Sequence, residues 1–242
     1  MPAVLRDAWT TVVPDLKDRH GPLPPLMLAL TAVTGLVDAF SYLALGHVFV
    51  ANMTGNVVFS GFALAGAPGF SLAASLAALG AFATGALVGG RISHRAHAHR
   101  GRLLHQALVL ETVLVAAAYA TARTADPAHS AVRFPLIVLL GLAMGVQNAA
   151  VRALAVPDLT TTVLTLTITG IASDSRLVGG PGSRAGRRAV SAAAMFLGAL
   201  VGALAVLHGH QSLPLLLAAL ILAAVTAAAF TLTRSDRPWT HP

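Results

Sequence analysis

The chain predicts an all-α integral membrane protein: six transmembrane helices plus two broken or re-entrant helical segments, arranged as two inverted repeats. Three observations carry that expectation. The 242 residues are 56% hydrophobic and only 10% charged, whereas charged residues make up about a quarter of an ordinary soluble domain. The apolar residues fall into runs of roughly twenty, which at about 1.5 Å per residue span about 30 Å of hydrocarbon. The polar residues inside those runs recur in one order at nearly one spacing.

The recurrence can be read letter by letter. Gly35-Leu36-Val37-Asp38-Ala39 is answered at an offset of 110 by Gly145-Val146-Gln147-Asn148-Ala149, with Asn148 in the place of Asp38. Met53-Thr54-Gly55-Asn56 is answered by the threonine run Thr160 to Thr169, with Thr165 opposite Thr54 at an offset of 111. Gly85-Ala86-Leu87-Val88-Gly89 returns unchanged as Gly198-Ala199-Leu200-Val201-Gly202, at an offset of 113. Three matches in one order indicate an internal duplication.

In chain order, residues 1–25 form a tail in which Arg6, Lys17 and Arg19 stand against Asp7, Asp15 and Asp18, with a short interfacial helix around Trp9. The tail is polar and proline-broken, so it does not read as a cleavable signal. Repeat one occupies 26–122. Leu26 to Leu45 is its first span, interrupted at Gly46, and Val48 to Gly66 is a shorter apolar segment that begins with the polar Asn52 to Asn56. After Ala67-Pro68-Gly69 a helix runs to about Gly90, the basic loop Arg91 to Arg102 follows, and Leu103 to Ala122 spans again with Glu111 inside it. Residues 123–133 connect the halves. Repeat two, 134–233, runs through Phe134 to Leu154, Asp158 to Asp174, the basic loop Arg176 to Arg188, Ala189 to Leu207 and Leu213 to Thr233; residues 234–242 are a second tail.

The arginines choose among topologies. If the segments after the two polar motifs enter and leave on one side, the tails and both basic loops share a face holding 13 of the 16 Lys and Arg. Two lie opposite and Arg152 sits in the motif. Eight full crossings give at best 11 against 5, so the first arrangement obeys the positive-inside rule better. Seven or eight crossings stay open as the alternative. The basic loop follows the helix of Gly85 but precedes the helix of Gly198, so the equivalent helices are expected to run in opposite directions, as inverted repeats require.

The formal charge of +7 does not point to nucleic acid, because the arginines lie in short loops and few aromatic residues accompany them. The absence of cysteine excludes disulfides, thiolate catalysis and Cys-ligated metal. His94, His97, His99 and His105 lie among four arginines that would repel a cation, so neither a metal nor another cofactor is expected.

Val37-Asp38-Ala39 with Ala51-Asn52-Met53-Thr54-Gly55-Asn56, and Gly145-Val146-Gln147-Asn148-Ala149 with Thr160-Thr161-Thr162-Val163-Leu164-Thr165, resemble the bacterial YoaK family over nearly all of 26–233. The resemblance implies a multi-pass inner-membrane protein and no defined substrate. One departure is Thr165-Leu166, where the family pattern implies Thr-Gly; a close backbone approach that glycine permits is lost there.

An ionisable group within a span marks a pathway or a partner by default, which makes Asp38 the leading candidate. Asn52, Thr54, Gly55 and Asn56 open a half-helix whose free donors suit an anion, or simply cap it. Gln147, Asn148 and Arg152, with Thr161, Thr162, Thr165 and Thr169, form the matching set. Arg152 is a possible partner for Asp38 or for an anion, or a side chain that snorkels to the interface, and the threonines either line a path or bond their own helix. Gly85, Gly89, Gly198 and Gly202 are packing residues, between repeats or between protomers of a homo-oligomer. The expected function is a non-enzymatic permease or channel-like protein for a small polar or ionic solute in a bacterial inner membrane, both termini cytoplasmic. The alternative is a non-transporting assembly or scaffold protein whose polar motifs serve helix packing.

Overall fold

The computed structural model of the protein describes residues 3–96, 98–161, 164–174, 184–234 and 237–240; Thr162, His97 and most of the second basic loop lie outside them. Regular structure among the described residues is helical: α1 Ala3–Val12, α2 Leu23–Ala44, α3 Met53–Leu64, α4 Leu72–Arg95, α5 Arg100–Thr124, α6 Ser130–Leu154, α7 Leu164–Ser173, α8 Ala185–Leu207 and α9 Leu213–Leu232, with a 3-10 turn at Pro238–Thr240. Six of these, α2, α4, α5, α6, α8 and α9, are long and apolar enough to cross a membrane. The protein is an all-α integral membrane protein. Helices α3 and α7 have 12 and 10 residues, reaching about 18 and about 15 Å at about 1.5 Å per residue, short of a 30 Å core.

Several boundaries differ from the expected ones for local reasons. Helix α2 starts at Leu23 and takes Pro24 and Pro25 into its first turn, where a missing N–H loses no bond. Its far end is broken by Gly46 and His47, both at positive φ. Most of the expected basic loop Arg91 to Arg102 is helical; of its described residues only Ala96, Ala98 and His99 are not, and His99 Nδ1 accepts the Arg102 amide at 3.2 Å to start α5.

Packing runs across the two halves. The most extensive interfaces are α4 on α6 and α2 on α8, and glycine makes both. A Cβ on Gly35 would strike the backbone of Met195 and Ala199 in α8, and one on Gly145 would strike Phe82 and Ala86 in α4. In return, Gly85 and Gly89 sit on Leu142, Val146 and Ala149 of α6, while Gly198 and Gly202 sit on Ala32, Leu36 and Ala39 of α2. These are the same contacts displaced by the sequence offsets, and the helices meet backbone to backbone. A correction follows: the Gly-x-x-x-Gly faces are buried within one chain, so they offer no surface for a homo-oligomer.

One end of the bundle collects the tails. The buried Arg100 guanidinium donates to the carbonyls of Arg19 (3.4 Å), Trp239 (3.5 Å) and Leu154, and lies 3.4 Å from His20 Nδ1. Trp239 packs over Gly21, and Arg187 reaches Thr11 Oγ1 at 3.3 Å and the Pro157 carbonyl at 3.5 Å. Helix α1 lies on the start of α8, with Gly186 beneath Val4 and Ala8, and exposes Trp9, Leu5 and Val12. Thus α2, α5 and α8 begin, and α4, α6 and α9 end, at what we call the basic end. Among the described Lys and Arg, only Arg123 and Arg133 belong to the other end, where Arg133 lies against Gly46. Because α2 leaves the basic end and α6 returns to it, α3 lies at the far end and α7 at the basic end.

Candidate functional site

At the far end the α2–α3 hairpin is closed by its own polar residues. Asp38, 5% exposed, accepts the amides of Val50 (3.1 Å) and Ala51 (2.9 Å) on Oδ1. Asn56 accepts the Phe49 amide at 3.0 Å and donates to the Phe49 carbonyl at 2.6 Å, so one side chain satisfies both backbone groups of a half-buried loop residue. Tyr42 and Phe49 stack at 5.0 Å, Phe59 and Phe70 extend the rings, and His47 Nδ1 meets the Gly69 carbonyl at 2.9 Å. Asn52 caps α3 by accepting the Gly55 amide at 3.4 Å, and Gly55 lies against the Phe49 ring. Asn52 and Thr54 themselves face outward. The backbone donors ahead of α3 do form an anion-type site, but the protein's own Asp38 fills it.

At the basic end the matching residues are arranged differently. Gln147 is buried; its Nε2 donates to Thr34 Oγ1 (2.9 Å) and Thr161 Oγ1 (3.2 Å), tying α6 to α2 and to the loop ahead of α7. Its Oε1 is buried with no hydrogen-bond partner among the described residues. Asn148 Nδ2 donates to the Met144 carbonyl at 2.8 Å. Asn148 and Arg152 border a cavity of about 910 Å³ between α4 and α6, whose walls include Ser93, His94, Phe82 and Leu159. Behind it Arg188 donates to Asp158 and Asp174, each at 2.8 Å, and Arg184 lies 3.7 Å from Asp158. Burial, and after it the Arg100 guanidinium, hold the imidazole of His20 below its ordinary pKa.

Two expectations need correction. Arg152 does not meet Asp38: it lies near the basic end of α6, while Asp38 lies near the far end of α2, because the equivalent helices run in opposite directions. Nor do Asp38 and Asn56 share a site with Asn148 and Arg152, so the expected single midplane cluster is two clusters. Thr165 and Thr169 face outward, since at 100° per residue they lie away from Thr167 and Gly170, which turn inward; Gly170 packs on Arg188 of α8. Thr162 lies outside the described residues. The histidines of the first basic stretch disperse: His94 borders the cavity, His99 caps α5, and His105 lies 3.3 Å from the Thr226 carbonyl. Glu111 is fully buried and neither carboxyl oxygen has a hydrogen-bond partner among the described residues. Arg100 was not singled out from sequence, since it is one arginine among several in a basic stretch.

Residues 26–228 match the family described as a protein of unknown function, DUF1275. The chain belongs to this family. A relative is the UPF0700 transmembrane protein YoaK of Bacillus subtilis (strain 168), 35% identical over 151 residues, 61% of this chain and 64% of the relative. The aligned stretch therefore spans slightly less than two thirds of that relative. No solved structure matches. Both matches agree with the motif resemblance, and the paired motifs of this DUF1275 member, Asp38 to Asn56 and Gln147 to Thr161, lie within the matched residues.

Proposed function

We propose that the protein is a permease or channel-like carrier for a small polar or ionic solute, taken up at the basic end through the cavity between α4 and α6. The observation that supports this above others is that the second polar motif borders about 910 Å³ of open space, whereas the first borders stacked rings. Ligand cavities commonly measure about 300–1,000 Å³ and combine apolar walls with a few polar groups. We read the halves as an inverted duplication and the basic end as cytoplasmic, by the positive-inside rule, in a bacterial inner membrane. No enzymatic role is assigned.

The reading is tested by filling the cavity with rings, as the first motif does. Arg152→Tyr with Leu159→Phe, purified and placed in liposomes, is compared with the wild-type chain by stopped-flow swelling against a panel of small polar and ionic solutes. Solute-specific flux in wild type that is lost in the doubly substituted protein, at unchanged Tm, is the expected result. Wild-type flux no faster than protein-free liposomes for every solute contradicts it. The assembly reading is favoured by one observation, that Asp38 and Asn56 are satisfied by their own backbone, and it predicts a co-purifying partner.

A further inference from the structure

Resting on the cavity as the solute site, we infer that its ligand is an organic anion with an apolar body. The walls carry Arg152 and no carboxylate. The neighbouring acids, Asp158 and Asp174, are already bonded to Arg188, and Arg152 has no ion-pair partner among the described residues. Arg152 is exposed at the mouth, and a guanidinium binds a carboxylate or phosphate with two parallel charge-assisted hydrogen bonds, which an ammonium cannot accept and a neutral polyol accepts only without the charge.

The apolar part of the inference comes from the rest of the wall. Phe82, Ala86, Val151, Val156 and Leu159 are among its apolar members. Phe82 and Ser93, both on that wall, are eleven residues apart along α4, roughly 16 Å at about 1.5 Å per residue, so the cavity is long as well as apolar.

Comparison with the first motif says what is missing. Asp38, Tyr42 and Phe49 correspond at the offset of 110 to Asn148, Arg152 and Leu159. The first motif supplies its own carboxylate and its own stacked rings. The second has a neutral amide, a cation and a smaller side chain around open space. A ligand bringing an anionic head to Arg152 and an apolar body to the α4–α6 wall supplies both absent parts. Its source is either a free amphiphilic carboxylate or an anionic membrane lipid.

The test places the full chain in nanodiscs of zwitterionic lipid and measures equilibrium binding of radiolabelled laurate, alongside acetate and dodecyltrimethylammonium as Tm-shift probes. Saturable laurate binding is expected, with at least a tenfold weaker Kd for Arg152→Gln, partial recovery in Arg152→Lys and no change for Arg123→Gln at the far end. Acetate and the cationic amphiphile should leave Tm unmoved. Adding phosphatidylglycerol to the nanodisc separates the sources: displacement of laurate assigns the site to a lipid headgroup, undiminished binding to a free anion. Arg152→Gln binding laurate as wild type does, or the cationic amphiphile raising Tm as laurate does, overturns the inference. Laurate binding without flux in liposomes defeats carriage but leaves the anion site; flux of a cation without laurate binding does the reverse.

Discussion

At the far end a carboxylate meets two backbone amides, an asparagine spans a loop residue's N–H and C=O, and four rings cover the join. At the basic end the corresponding residues are a neutral asparagine and an arginine with no ion-pair partner among the described residues, both beside a cavity, with the ion pairs of Arg188 near them. Both ends hang on the same glycine-made helix crossings. On the reading of the halves as a duplication, a changed acid and changed ring positions distinguish one hairpin that closes on itself from one that leaves room. Polar residues in a membrane helix are not one class: some close a hairpin on itself and some border open space.

The largest effects should come from the scaffold that the two ends share. Gly35→Leu and Gly145→Leu each drive a side chain into a backbone carbonyl of the opposing helix, and overpacking against an immovable backbone costs on the order of 3 kcal/mol. Both should lose the monodisperse peak in fluorescence-detected size exclusion, and to the same degree. Gly80→Leu, with open space at its Cβ, should behave as wild type. Unequal losses at Gly35 and Gly145 would break the equivalence of the crossings.

Next in size is the difference between the motifs themselves. Asp38→Ala strands two buried amides, a loss of roughly 2–4 kcal/mol. Asn148→Ala removes a back-bond to its own helix and should cost about 1 kcal/mol. Chemical denaturation in mild detergent, read as the shift in midpoint, checks the ratio. Equal costs would mean that the second motif is as internally complete as the first.

The smallest effect is a pH dependence at the basic end. His20 is held below its ordinary pKa of about 6.5, so below that pH the unfolded chain binds the proton more readily than the folded one. Its contribution is therefore fully present above about pH 6.5 and is lost as pH falls through the lowered folded value. Arg100, Arg187 and Arg19 oppose the proton and Asp18 favours it. The Tm of wild type should decline from pH 7 to pH 5 more steeply than that of His20→Gln; parallel declines would remove His20 from the tail contact.

Much of the scaffold was legible. Long apolar runs give the six spans, Gly46 marks the break after α2, and the shared glycine pentapeptide marks the crossings, because these depend on local composition and on contacts too close for any Cβ. The sites were legible in part. That Asp38, Asn56, Gln147 and Asn148 matter could be read from their apolar surroundings. Their partners could not, since Asp38 is met by the backbone of Val50 and Ala51, which carries no side-chain signature. The pairing of Asp38 with Arg152 failed because α2 and α6 run in opposite directions, which puts the two residues at opposite ends of the bundle. The threonine run misled because spacing does not say which side of α7 lies on α8. Glu111 stood out in sequence, but that it has no hydrogen-bond partner among the described residues is visible only in three dimensions.

The central claim is that the closed and open motifs face opposite sides of the membrane. The absence of cysteine makes the most direct measurement simple: Ala65→Cys, just after α3, and Ala153→Cys, at the end of α6, labelled in intact cells with an impermeant maleimide and again after permeabilisation. Ala65→Cys should label at once, and Ala153→Cys only after permeabilisation. Labelling of both, or of neither, in intact cells would put the two motifs on one side and contradict the inverted arrangement on which the comparison stands.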